Sequence, residues 1–224
     1  MGLRCSLFTW ASFFGFDEMK LPVDIDAVKG FMDPDEGQAL YESACSVAAL
    51  GPCLEIGSYC GKSTVYLGAA CQEGQNSLFA IDHHRGSEEH QVGEAYHDAE
   101  LYDAKTGLFD SFPVFRSNIL AAHLEDTVIP IVAASRVAGR NWQTPLGLLF
   151  IDGGHSSQAA TIDYEVWSPW VVPGGLLLIH DIFPDPKDGG RPPFEIYQMA
   201  LASGKFELIR MVKTLGILRR RMHQ

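Results

Sequence analysis

The chain has 224 residues, 46% of them hydrophobic and 20% charged, with a formal net charge of −11. That is enough length for one substantial α/β domain and little more, with the composition of an ordinary globular protein. A surface this acidic repels phosphate backbones, and its basic run, Arg219-Arg220-Arg221, reads as a solvated strand end, so no nucleic-acid partner is expected.

Five cysteines, odd in number and without a C-x-x-C pair, suit free thiols in a reducing cytoplasm better than a disulfide framework. Leu7 to Phe16 is apolar but too short to span a bilayer, and no small-residue cleavage site follows it, so no transmembrane segment is expected. Met1-Gly2-Leu3-Arg4-Cys5-Ser6 fits an N-myristoylation pattern, one that is short and common by chance. Residues 1–32 are read as an N-terminal arm that packs on the domain or on a partner subunit, which leaves a homo-oligomer open. Residues 33–224 are read as the domain itself.

Asp33-Pro34-Asp35-Glu36 starts a helix, with Asp33 as its cap and acids in the first turn. Leu40, Ala44 and Val47 share one face of it, and Gly51-Pro52 ends it. A short apolar strand, Cys53–Ile56, leads through a glycine turn into a helix that opens near Ser63 and runs to about Cys71. Ser77 to Ile81 is a second strand, closed by Asp82. This β-α-β order builds a parallel sheet with its ligand crevice at the carboxyl ends of the strands.

The segment from His83 to Asp126 is longer than a crossover needs. Its first half, to Asp110, is polar and rich in His, Glu, Tyr and Gly, as functional loops are, and Phe115 to His123 looks helical. Strands follow at Val128–Ala133 and Leu146–Ile151, the latter closed by Asp152. A helix spans Ser157–Trp167, with Trp167 and Trp170 as helix-to-sheet core. Pro173-Gly174-Gly175 reads as a tight turn into a strand Leu176–Ile179, which ends at His180-Asp181. A Pro/Gly loop precedes a short helix closed by Gly204. The runs Phe206–Val212 and Leu215–Arg220, separated by Lys213-Thr214 alone, form an antiparallel hairpin.

The chemistry concentrates in the stretch Pro52 to Thr64, where Gly57 and Gly61 let backbone approach a ligand at a helix N-terminus. A phosphate-binding P-loop needs four residues between its glycines, and here there are three. The dinucleotide pattern G-x-G-x-x-G lacks its middle glycine. What remains is an acid before the turn, Glu55, the two glycines, and an acid closing the second strand, Asp82, placed to accept ribose hydroxyls.

Together these features resemble class I S-adenosylmethionine-dependent methyltransferases. The likeness is strongest to the catechol O-methyltransferase type, whose first motif reads much like Glu55-Ile56-Gly57-Ser58-Tyr59-Cys60-Gly61-Lys62-Ser63. It continues at Ala133-Ala134-Ser135, at Phe150-Ile151-Asp152 and from Gly174-Gly175 to Asp181. The run Ile151-Asp152-Gly153-Gly154-His155, with His180-Asp181, also looks like macrocin-type sugar O-methyltransferases.

The resemblance implies a Rossmann-like three-layer α/β sandwich. Its seven-stranded, mostly parallel sheet would have order 3-2-1-4-5-7-6 and a C-terminal antiparallel hairpin. It implies methyl transfer from S-adenosylmethionine to a hydroxyl of a small-molecule acceptor. Glu55, Gly57, Ser58, Tyr59, Gly61 and Ser63 would form the cofactor turn, with Asp82 on the ribose, Ser135 by adenine, and Asp152 beyond. Asp152 and Asp181 match metal-ligand positions, for Mg²⁺ or another divalent cation. The third ligand of that family is an Asn where this chain has Ile182, so a histidine such as His155 or His83 completes the shell, or no catalytic metal binds.

His155, three residues after Asp152, stands where the catechol type carries a general base, and the two residues form the expected catalytic pair. His180 adjoins Asp181 in a strand, so it should face the opposite side of the sheet and be structural. His83, His84 and His90 could line the substrate mouth, His97 and His223 read as surface, and Cys60 as packing. Two other readings stay open: an oxidoreductase resembling cephalosporin hydroxylases, and a cofactor-binding protein without catalysis.

Overall fold

Strands that read as unbroken apolar runs belong in a sheet covered on both faces, and that is where the chain places them. The computed structural model describes residues 19–87, 98–103, 105–154, 156–185, 187 and 189–222. Seven strands form one sheet: β1 (Cys53–Ile56), β2 (Leu78–Asp82), β3 (Val128–Val132), β4 (Leu146–Ile151), β5 (Val171–Ile179), β6 (Phe206–Val212) and β7 (Leu215–Arg220). Their order is β3-β2-β1-β4-β5-β7-β6, as the family resemblance implies. β1 to β5 pair in parallel, and β7 runs antiparallel to both β5 and β6.

Successive residues of a strand face opposite layers, and β4 shows it directly. Leu148 and Phe150 pack into one apolar cluster with α1 (Pro34–Ser46), α2 (Lys62–Glu73) and α3 (Phe112–Ala121). Leu149 and Ile151 pack into the other, with α5 (Ser157–Trp167) and α6 (Pro192–Ala202). The short α4 (Ser135–Ala138) follows β3. β3 is an edge strand with Ile129 and Val132 exposed, the one kind of position where Pro130 costs the sheet little. Met19, Leu21, Val23 and Ile25 of the N-terminal segment pack against the first cluster. No helix among the described residues is long and apolar enough to cross a membrane.

Two local expectations change. Pro173-Gly174-Gly175 is not a turn before a strand but part of β5 itself. Pairing with β4 jumps from Leu146↔Val171 to Leu148↔Leu176, so the extra residues bulge out, with Gly174 at φ +82°. The polar segment after β2 also carries a small antiparallel ribbon, Tyr102–Asp103 against Leu108–Phe109, turned at Gly107 with φ +67°.

Candidate active site

The glycine turn is shaped by what lies directly behind it. Gly57 has φ +87°, and a Cβ there would sit 2.0 Å from the carbonyl oxygen of Asp152, so only glycine lets the end of β1 lie against the end of β4. Gly61, left-handed at φ +94°, caps α2 without a side chain. Glu55 anchors the start of that helix through side chains rather than as a cap. It is fully buried beneath the turn and accepts hydrogen bonds from the Ser63 and Thr64 hydroxyls in the first turn of α2. Burial pushes its carboxyl up to about 8, against those two bonds, with Asp152 and Asp82 adding to the rise. Glu55 therefore acts on the site through Ser63 and the turn, and it does not itself line the cavity described next.

A cavity of about 970 Å³ opens at the carboxyl ends of the strands. Gly57, Ser58, Tyr59 and Ser63 line it from the turn, Asp82 from β2, Ser135 from α4, and Asp152 and Asp181 from just beyond β4 and β5. Asp82 is held by backbone: Tyr59 N–H donates to Oδ2 at 2.9 Å and His84 N–H to Oδ1 at 2.7 Å. Tyr59 achieves this at φ +46°, with its ring stacked between Phe31 and Phe109. Ser58 Oγ is buried in the wall and has no hydrogen-bond partner among the described residues.

At the other end, Asp152, His180 and Asp181 bring one ligand atom each within 4.8 Å of one another. The expectation that His180 and Asp181 face opposite sides fails because β5 ends at Ile179. Asp181 then takes φ +56° and the alternation breaks there. His180 Nδ1 lies 3.0 Å from Asp152 Oδ1 and 3.5 Å from Asp181 Oδ1, and its Nε2 lies 3.0 Å from Glu36 Oε2. Burial alone would lower this histidine, but the surrounding carboxylates, Asp152 first, hold it protonated well above its ordinary value. Glu36, which burial would raise, is instead held below the usual carboxylate range by His180 and Thr214.

Not every expected residue joins this group. His83 lines the cavity but is exposed, with Nδ1 accepting from Arg85 N–H at 3.0 Å, and it is not one of the three clustered ligands. His84 is buried against Phe112 and Phe115, bonded to Ser111 Oγ, and burial lowers its pKa. Ile182 turns into the apolar layer, and its N–H donates to the Thr214 carbonyl, so it offers the cluster nothing. His155, His90, His97 and His223 lie outside the described residues. Sequence reasoning missed Glu36, which reads locally as an ordinary first-turn acid, and Asp163, which reads as a polar position on a helix.

A glycine turn after β1, an acid closing β2 and a reversed C-terminal hairpin define a class I methyltransferase fold. A protein family described as a methyltransferase domain matches residues 54–182. The chain belongs to that family and is an S-adenosylmethionine-dependent methyltransferase. Among solved structures it is similar to cofactor-bound Rv0187 from MTB, with TM-score 0.63 and 16% identity over 89% of this chain and 87% of that one. It is also similar to the O-methyltransferase NovP, with TM-score 0.64 and 16% identity over 84% and 80% of the two chains. The O-methyltransferase from Bacillus cereus, solved in complex with SAH, gives TM-score 0.61 and 16% identity over 95% and 96%. At such identity the likeness is one of fold.

Proposed function

We propose that this chain moves the methyl group of S-adenosylmethionine to a hydroxyl oxygen of a small-molecule acceptor, with a divalent cation on Asp152 and Asp181. The observation that carries the proposal is the convergence of Asp152, His180 and Asp181 at one end of a cavity whose other walls are the glycine turn and Asp82. Three neighbouring structures named as O-methyltransferases, NovP, TomG and the Bacillus cereus protein, favour oxygen as the acceptor atom.

The cofactor supplies an electrophilic methyl group on a sulfonium sulfur. Asp82, fixed by two backbone N–H groups, is oriented to accept ribose hydroxyls with its remaining lone pairs. The unpartnered Ser58 Oγ fits a polar group of the cofactor, since a buried hydroxyl left unpaired is costly. Ser63 and the turn face the amino-acid end. The donor chemistry at the other end fits a hard divalent ion such as Mg²⁺ through its two carboxylates, while the protonated His180 beside them orients Asp152 and is not itself a ligand. Such an ion, when bound, lowers the pKa of an acceptor hydroxyl and orients it. Asp152 is itself held in place by His180, which Glu36 anchors from behind. His155 keeps the role its place in the sequence implies, that of general base.

The test is formation of S-adenosylhomocysteine from S-adenosylmethionine across a panel of hydroxylated acceptors, with and without chelator. Chelation and Asp152→Asn should each lower turnover by about 100-fold or more, several kcal/mol of transition-state stabilisation, and added Mg²⁺ should restore the chelated enzyme. Full activity in chelator would refute the cation. Calorimetry that finds no S-adenosylmethionine binding at millimolar ligand would refute the whole reading.

A further inference from the structure

Asp163, in the middle of α5, is a buried carboxyl only 6% exposed, yet it lines the same cavity as Ser135. The two residues are neighbours, and Ser135 opposes the rise that burial imposes on the Asp163 carboxyl. Ser135 Oγ accepts from Trp167 Nε1 at 2.8 Å. A carboxylate offers about four lone-pair sites. Asp163 Oδ2 lies beside the cavity-lining Gly153, close enough that a Cβ there would come within 2.8 Å of it.

The surroundings suit a flat base. With the ribose at Asp82 and the sulfonium directed towards Asp152, the base enters the region lined by Ala133, Ala134 and Ile162, apolar surfaces for ring faces, with an anionic acceptor at its edge. Adenine presents an exocyclic amine, a donor, at the edge where a 6-oxopurine presents an acceptor. We propose that Asp163 reads the exocyclic amine of the cofactor's adenine and so restricts the site to adenine nucleosides. Burial pushes the Asp163 carboxyl up to about 6, with Ser135 opposing the rise, so near neutral pH it is ionised and able to accept. The inference rests on the cofactor placement proposed above.

The deciding measurement is calorimetric binding of S-adenosylhomocysteine and of its 6-oxo analogue S-inosylhomocysteine, with no turnover involved. Wild-type protein should favour the adenine ligand by about 100-fold or more, because the analogue sets a carbonyl against a buried carboxylate. In Asp163→Asn the amide can donate to that carbonyl, and the preference should shrink to within about tenfold. A wild-type preference under about threefold overturns the proposal by itself, whether or not the variant folds. Equal weakening of both ligands in Asp163→Asn also overturns it, since that marks a structural role. If S-adenosylhomocysteine binds tightly and only the ratio fails, the cofactor placement survives. If the wild type binds neither ligand, the placement fails and this inference with it.

Discussion

Glu55 is enclosed completely, and its carboxyl is pushed up to about 8 by that burial. In the unfolded chain the same group titrates near its usual value of about 4.3. Between these values the unfolded chain releases a proton that the folded one keeps. The contribution of Glu55 to stability is thus full below about pH 4, and it is lost as pH rises to about 8. For one proton the loss is at most about 1.4 kcal/mol per pH unit. Glu55→Gln keeps the shape and the neutral state while removing the titration. The stability of wild type relative to this variant should therefore fall steadily from pH 5 to pH 8 in urea unfolding. Asp163 and His180 titrate alike in both proteins and cancel from the comparison. A difference that stays constant over that range would show that Glu55 does not carry the raised pKa assigned to it.

At the scale of elements, Glu36 joins three parts of the fold that are far apart in sequence. Its Oε1 accepts from both the N–H and the hydroxyl of Thr214, each at 2.8 Å, and its Oε2 faces His180. Lys213, in the same hairpin turn, pairs with Asp33 and Asp35 at 2.6 and 3.2 Å. The first turn of α1 is thereby fastened to the β6–β7 turn and to the site histidine. Glu36→Ala leaves the His180 Nε2–H and the Thr214 N–H without their acceptor and should cost about 2–5 kcal/mol. Thr214→Val, which removes one hydroxyl, should cost about 1 kcal/mol. The double variant should be less destabilised than the sum by about 0.5–1 kcal/mol, and strict additivity in denaturant melts would refute the coupling.

The same elements show what a reader of the sequence can and cannot see. The start of α1 was legible because Asp33 and Pro34 act on their immediate neighbours: Asp33 Oδ1 caps the Asp35 N–H at 2.9 Å. The strands were legible from their apolar runs, and the hairpin from the two residues between its strands. The ribbon at Tyr102 and Leu108 was not, since two-residue strands are too short to show a period. For the site, the glycine turn and the three acids at strand ends stood out as local motifs. The partner of Glu36 did not, because 144 and 178 residues separate it from His180 and Thr214. The displacement of Asp181 out of strand alternation depends on a positive φ at a non-glycine residue, for which the side chain gives no warning.

For the molecule as a whole, the cavity draws its wall from both sides of β1, through Asp82 at the end of β2, Ser135 beyond β3 and Asp152 beyond β4. A ligand spanning these ends must stabilise the fold globally. S-adenosylhomocysteine at 100 times its Kd should add about 2.7 kcal/mol, which for a chain of this size raises Tm by about 5–11 °C. Asp82→Asn should bind about tenfold more weakly, and at the same ligand concentration about half of that shift should remain. The shift, not the bare Tm, is the quantity to compare, because Asp82 also holds the Tyr59 and His84 N–H groups and its replacement destabilises the free protein. The chain carries a net charge of −11, so the variant also relieves some general repulsion. Glu125→Gln, at an exposed acid remote from the cavity lining, makes the same change in charge and should retain the full shift. An equal reduction in Glu125→Gln would move the effect from Asp82 to the overall charge, and no shift in the wild type would take the S-adenosyl ligand out of this cavity altogether.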